Sequence, residues 1–281
     1  MTTQSRIWIS LLAFLFIALP VTADTLRVTV ETEIVEEEKK EKDTEIITID
    51  GDKKVRLELL GEEKKSSDKT PYLLTIDGGN TWVVGNKAEA FCAQMDTAEF
   101  FRYLGSLALR FEGIANLEIT DPQVKKVLEE KGPKILDYPT NHVRLVSTAA
   151  GKAAVMFKKY DYKVHITDDI WYSTKIEMHP VRKRWFEALS RSGYKQHDVL
   201  IDQWMANLPG AILKQESVIK VTNVIRKKDE IYTEKTRVVT IDKLKPSDIP
   251  KHTFQMPKCK KISKKEMRST AMDLFEKGKL L

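Results

Sequence analysis

Short segments in which apolar and polar side chains alternate, separated by turn chemistry, restrict this chain to an antiparallel β architecture. Leu26, Val28, Val30, Thr32 and Ile34 alternate with Arg27, Thr29, Glu31 and Glu33, the period of a strand with one face buried. A charged run from Glu36 to Asp43 reads as an exposed hairpin tip, and the strand pattern resumes at Ile46 to Ile49 before the turn pair Asp50-Gly51. Val55, Leu57 and Leu59, then Tyr72, Leu74 and Ile76, repeat the alternation; Asp77-Gly78-Gly79-Asn80 is a turn, and Thr81 to Val84 and Phe91 to Met95 are further strands. Parallel strands would need helical crossovers between them, so this succession is a meander.

The period then changes. Asp96 and Glu99 form a capping box, which starts a helix over about Thr97 to Phe111. Phe100, Phe101, Leu104, Leu107, Ala108 and Phe111 give it a wide apolar face that must lie against a sheet, and Gly113 ends it.

Strand patterns return at Leu117 to Thr120, Ile135 to Tyr138, His142 to Val146, Ala153 to Phe157, Tyr162 to Thr167 and Ile170 to Ile176, while Gln123 to Glu130 fits helix or strand. Pro180 suits a first helical turn, with Val181, Trp185, Ala188 and Leu189 as its apolar stripe and Gly193 as its stop. A second helix over about Asp198 to Leu208 carries Ile201 and Trp204 before Pro209-Gly210. Strands near Ile212 to Val221 and Ile231 to Ile241 follow, and Ser263 with Glu266 caps a C-terminal helix over 263–281. No repeat or linker divides the region 24–262, which reads as one domain.

Arg6, the apolar run Ile7 to Leu19, Pro20 and the small-residue site ending at Ala23 have the form of a secretory signal peptide over residues 1–23. Its apolar run is too short for a confident membrane span and no later segment is long enough, so the mature chain is expected to be released and not integral to a membrane. Export places Cys92 and Cys259 in an oxidising compartment, where an even count favours a disulfide over two buried thiols. The formal charge of +6 comes from basic residues interleaved with acids except near the C-terminus. Nucleic-acid binding would need a sharper basic stripe, and none is expected.

Chemistry is harder to find. His142, His165, His179, His197 and His252 lack metal-ligand spacing, so no metal or cofactor is expected. His165 with Asp168 and Asp169 is the best local cluster, and it reads as a strand end before an Asp-rich turn. No nucleophile elbow or phosphate loop occurs, and the chain reads as non-enzymatic. Trp82, Trp171, Trp185 and Trp204 fall on separate elements and fit either a filled core or the lining of an apolar pocket.

Three local sequences carry a resemblance. Ile135-Leu136-Asp137-Tyr138-Pro139-Thr140-Asn141-His142-Val143-Arg144-Leu145 resembles a Gly-Tyr-Pro-Thr turn that leads into an aromatic-Arg-Leu strand, with Asp137 at the glycine position and Val143 at the aromatic one. Ile170-Trp171-Tyr172-Ser173 resembles a Trp-centred strand, and Asp77-Gly78-Gly79 a turn, of LolA/LolB-like periplasmic proteins. The resemblance implies an α+β fold in which helices pack on the concave face of a large curved antiparallel sheet, a half-open barrel. It also implies a periplasmic or secreted location and an apolar cavity able to hold an acyl chain of a lipid or lipoprotein. Phe100, Phe101, Leu104, Ala108 and Phe111 would then form one wall, with Trp185 and Trp204 on the cover. The alternative is an interaction or sensor module that meets an envelope protein partner through a sheet edge or the basic C-terminal helix, with no lipid ligand.

Overall fold

The computed structural model describes residues 25–36, 39–60, 71–86, 91–99, 116–155, 158–191 and 195–261. The expected signal peptide over 1–23, the expected helix beyond residue 99 and the expected C-terminal helix over 263–281 lie outside the described residues. Among the described residues six strands come first: β1 Thr25–Glu36, β2 Lys39–Asp50, β3 Lys54–Leu59, β4 Pro71–Thr75, β5 Thr81–Asn86 and β6 Phe91–Asp96. Then come β7 Asn116–Lys131, β8 Asn141–Val155, β9 Lys158–Ser173, helices α1 Pro180–Leu189 and α2 Lys195–Met205, β10 Ala211–Asn223, β11 Lys228–Leu244 and the short β12 Lys260–Lys261.

All twelve described strands form one sheet, in the order β12, β6, β5, β4, β3, β2, β1, β11, β10, β9, β8, β7. Every pairing is antiparallel except that of β12 alongside β6. Two meanders therefore meet at the centre, where β1 pairs with β11, and β6 and β7 stand toward opposite ends, leaving the sheet open among the described residues. This is the large antiparallel sheet with helices on one face that the resemblance implied.

Alternation decides which side chains enter the core. Leu26, Val28 and Val30 of β1, Ile47 and Ile49 of β2, Val143 and Leu145 of β8, and Ile170 and Tyr172 of β9 are buried on one face. Val181, Trp185, Phe186 and Leu189 of α1 and Ile201 and Trp204 of α2 pack into the same cluster. A second cluster lies on the opposite face of β4 to β6, where Tyr72, Leu74 and Val83 meet Cys92, Phe254, Met256 and Cys259. The disulfide Cys92–Cys259 closes it, bolting the closing segment to the outer face of β6, the pairing expected from the even cysteine count.

Several boundaries differ from the sequence reading. Strand β8 runs through Gly151 and β9 through the Asp168-Asp169 pair, because each residue finds a cross-strand partner in the ladder. The segment Gln123 to Glu130 is strand, part of β7. Ile135 to Tyr138 is a tight turn instead of a strand: Ile135 and Tyr138 exchange backbone hydrogen bonds while Leu136 and Asp137 adopt φ of +50° and +66°. A left-handed residue is why glycine suits that position, and Asp is among the residues that tolerate it. The charged run does not interrupt the first hairpin, since pairing continues to Glu36 opposite Lys39. Asp96 caps the helical turn at Thr97 as expected, its Oδ1 accepting from the Glu99 N–H at 2.9 Å.

Candidate functional site

Helix α1 is positioned by its own N-cap. The wholly buried His179 donates from Nε2 to the Gly51 carbonyl at 2.9 Å and accepts the Val181 N–H at Nδ1. Burial holds its imidazole below the ordinary value, and the neutral ring suits both roles. The Asp77 turn docks beside it: Gly79, at φ +82°, would place a Cβ 3.2 Å from Val181 Cγ1. So fixed, α1 lays Trp185 across Trp82 of β5, with ring centroids 4.4 Å apart and planes inclined by 51°. Phe186 approaches Trp204 of α2 at 6.4 Å. The two tryptophans expected on the cover are thus brought into one aromatic group against the sheet. Phe100, Phe101, Leu104, Ala108 and Phe111 lie outside the described residues.

Beside this aromatic group the inward face becomes polar. Asp168 of β9 is buried and accepts from Ser217 Oγ at 2.6 Å, Gln215 Nε2 at 3.2 Å and Trp204 Nε1 at 3.3 Å. Burial still raises its pKa, against the lowering effect of those donors. Glu234 of β11 is 4% exposed, and burial reinforced by the charge of Asp168 pushes its carboxyl well up despite a bond from Thr236. Glu45 of β2 is 2% exposed; burial pushes it up too, with Arg182 opposing and Asp43 and Glu234 adding. Arg182 of α1 is itself buried, which lowers its guanidinium to about 9 against the pull of Glu45. Three polar atoms here are buried without a hydrogen-bond partner: Trp82 Nε1, Glu45 Oε1 and Glu234 Oε1. Such atoms are uncommon in folded proteins, and each costs on the order of 1–3 kcal/mol.

Sequence reasoning missed this polar zone, although the signal is present. On β11, Tyr232, Glu234, Thr236 and Val238 share one buried face, and on β2 Glu45 shares the parity of Ile47 and Ile49. A carboxylate at an inward parity is the break in pattern that marks it.

The cluster singled out in the sequence is divided instead. Asp168 points inward, whereas Asp169 joins an outward network in which it accepts from His142 Nε2 at 2.7 Å and from Arg144. Burial opposes ionisation of Asp169, but the Arg144 and His142 bonds outweigh it and its pKa is lowered. His142 lies 3.1 Å from Glu130 through Nδ1 and stacks on Trp171 at 4.5 Å. His165 takes no part and meets Thr167 at 3.4 Å. The outward group ties β7, β8 and β9 together. Among the described residues no three His, Cys, Asp or Glu side chains are grouped as metal ligands.

No protein-family model matches the chain, and no curated protein matches its sequence. Among solved structures it is similar to a LolA superfamily protein from Nitrosomonas europaea, at 13% identity and a TM-score of 0.29, covering 91% of this chain and 99% of that one. It is also similar to a domain described as an outer membrane lipoprotein-sorting protein from Vibrio parahaemolyticus, at 7% identity and a TM-score of 0.30, covering 90% and 97%. At these identities and scores neither structure carries a ligand or a residue role to this chain. The open antiparallel sheet with helices over its inner face is the arrangement that the resemblance implied.

Proposed function

We propose that this chain is a non-enzymatic protein of the cell envelope that holds an apolar ligand, such as an acyl chain of a lipid or lipoprotein, between the sheet and its helices. The observation that carries the reading is the aromatic group of Trp82, Trp185, Phe186 and Trp204, in which the Trp82 indole N–H is buried without an acceptor. A fully packed core satisfies such donors. Phe100, Phe101, Leu104, Ala108 and Phe111 are proposed as a further wall of the same site. Acyl chains need such shelter in water, because each buried methylene contributes about 0.8 kcal/mol.

The envelope location rests on the sequence 1–23 and is supported by the disulfide, which persists in oxidising compartments. No helix among the described residues is long and apolar enough to cross a membrane. The alternative is an interaction or sensor module that meets a partner through a sheet edge or the C-terminal helix, and its sheet-edge form finds little support at β7. That edge carries two register irregularities and several lysines, and Val124 N–H already donates to Gln203 of α2. Such features shield an edge from pairing.

The test is native mass spectrometry with lipid extraction on protein isolated from its own envelope, together with titration of a fluorescent fatty acid. Co-purifying acyl species, and probe binding weakened by Phe101→Ala or Trp204→Ala, are expected. A stoichiometric protein partner, with no lipid and no probe binding, would overturn the reading.

A further inference from the structure

We infer that the polar end of this interior receives the amine headgroup of the ligand, so that the preferred ligand is an amphiphile with an ammonium at its buried end. The inference rests on the apolar-ligand reading and deepens it. Glu45, Glu234 and Asp168 are drawn from β2, β11 and β9, spread over five adjacent strands of the sheet, and all three are buried on its inner face. The register shows how they are arranged. Glu234 and Asp168 both stand opposite Ser217 of β10, one from each side, and Thr32 of β1 stands opposite Thr236, two residues along β11 from Glu234. The Thr32 and Thr236 hydroxyls lie 3.3 Å apart, so the ground between Glu234 and Glu45 is hydroxyl-lined.

Charge decides the class of ligand. Among the described residues, the titratable and charged groups facing this zone are Glu45 and Asp43 on β2, Glu234 on β11, Asp168 on β9 and Arg182 on α1, while Asp169 acts on Asp168 from the outward face, where Arg144 and His142 hold it. Among the described residues, Arg182 is the cation that acts on these carboxyls, and it acts on Glu45. Burial opposes ionisation of these carboxyls, so an entering ammonium lets one of them release its proton to water and pair with it, whereas an entering carboxylate or phosphate would meet groups that gain nothing by ionising beside it. Independently of charge, Glu45 and Glu234 each present a buried oxygen with no partner, which a donor on the ligand can meet. An ammonium offers three donors and forms the stronger, charge-assisted bonds. The aromatic group of Trp82, Trp185 and Trp204 adjoins this zone through the Trp204 to Asp168 hydrogen bond, which places an apolar surface for the tail next to the acceptors for the head.

The experiment uses the full mature chain and displacement of a fluorescent acyl probe by decylamine, decanol and decanoate, which share one tail length. Decylamine should displace the probe at a concentration about tenfold or more below that needed for decanol, with decanoate weakest. Glu234→Gln and Glu45→Gln, checked for retained thermal unfolding, should each reduce the amine preference and leave decanol unchanged. The wild-type ranking needs no variant, so a poorly folding substitution does not decide the matter. If decanoate and decanol compete as well as decylamine, the amine inference fails while the apolar-ligand reading stands. If the probe never binds, the apolar-ligand reading itself fails and takes this inference with it.

Discussion

The indole of Trp185 on α1 lies against that of Trp82 on β5, 4.4 Å between centroids, and joins the second half of the chain to its opening meander. Replacing Trp185 by Ala should lower stability by about 3–5 kcal/mol, as loss of a large buried aromatic does. A double-mutant cycle with Trp82→Ala should return a coupling of roughly 0.5–1.5 kcal/mol. Urea unfolding of the four proteins measures it, and strictly additive losses would show that the ring pair contributes nothing beyond its buried area.

The buried carboxyls give stability a pH dependence of defined sign. Glu45, Glu234 and Asp168 have raised values in the folded protein, mainly through burial. The folded chain therefore holds protons that the unfolded chain releases above about pH 4. Their contribution is complete below the ordinary carboxylate range and is lost as pH rises through the raised values. Asp50, Asp77 and Asp169 are lowered and act only at more acid pH, while the lowered His179 removes stability on acidification below about 6.5. Between pH 5 and 8 the difference in Tm between wild type and Glu234→Gln should consequently shift toward the variant as pH rises. A difference that stays constant with pH would refute the protonated state of Glu234.

Asp77 organises the turn that carries α1. Its Oδ1 accepts from Thr75 Oγ1, the Asn80 N–H and the Thr81 N–H, and its Oδ2 from Thr81 Oγ1 at 2.7 Å. Asp77→Ala should cost about 1.5–3 kcal/mol, the range for hydrogen bonds to a charged group. Because Gly79 of this turn touches Val181, the change should also speed backbone amide exchange at the start of α1. Hydrogen exchange by mass spectrometry reads it; unaltered protection at α1 would uncouple the turn from the helix.

Cys92 and Cys259 are separated by 167 residues, with Cα atoms 5.3 Å apart. The chain-entropy estimate for so long a loop is about 5 kcal/mol, and native disulfides of exported domains contribute roughly 2–5 kcal/mol. Reduction, or Cys92→Ala with Cys259→Ala, should lower the midpoint of denaturation accordingly. Limited proteolysis should then cut first near Phe254 to Cys259, which the bridge holds on Tyr72, Leu74 and Val83. First cleavage elsewhere would mean that packing alone secures the segment.

Local chemistry was enough to place most elements. Alternation at Leu26 to Ile34, the Asp77-Gly78-Gly79-Asn80 turn, the Asp96 cap and Pro180 at a first helical turn each act over a few residues, so the sequence alone determined them. An even cysteine count behind a leader of signal-peptide form anticipated the Cys92–Cys259 bridge for a chemical reason, because export would place both thiols under oxidising conditions. The merging of β8 and β9 through Gly151 and Asp168 depended on cross-strand partners far away in sequence, and local turn signals lost to the ladder. The polar zone was settled in the same way. Whether Glu45, Glu234 and Asp168 are solvated or buried depends on β1 pairing with β11 and on α1 and α2 lying over that face. Inward parity could mark these residues, but it could not bring Arg182 near Glu45 or Trp204 to Asp168. That required the long-range order of the sheet, because a carboxyl's ionisation follows from everything packed around it and not from its neighbours in the chain.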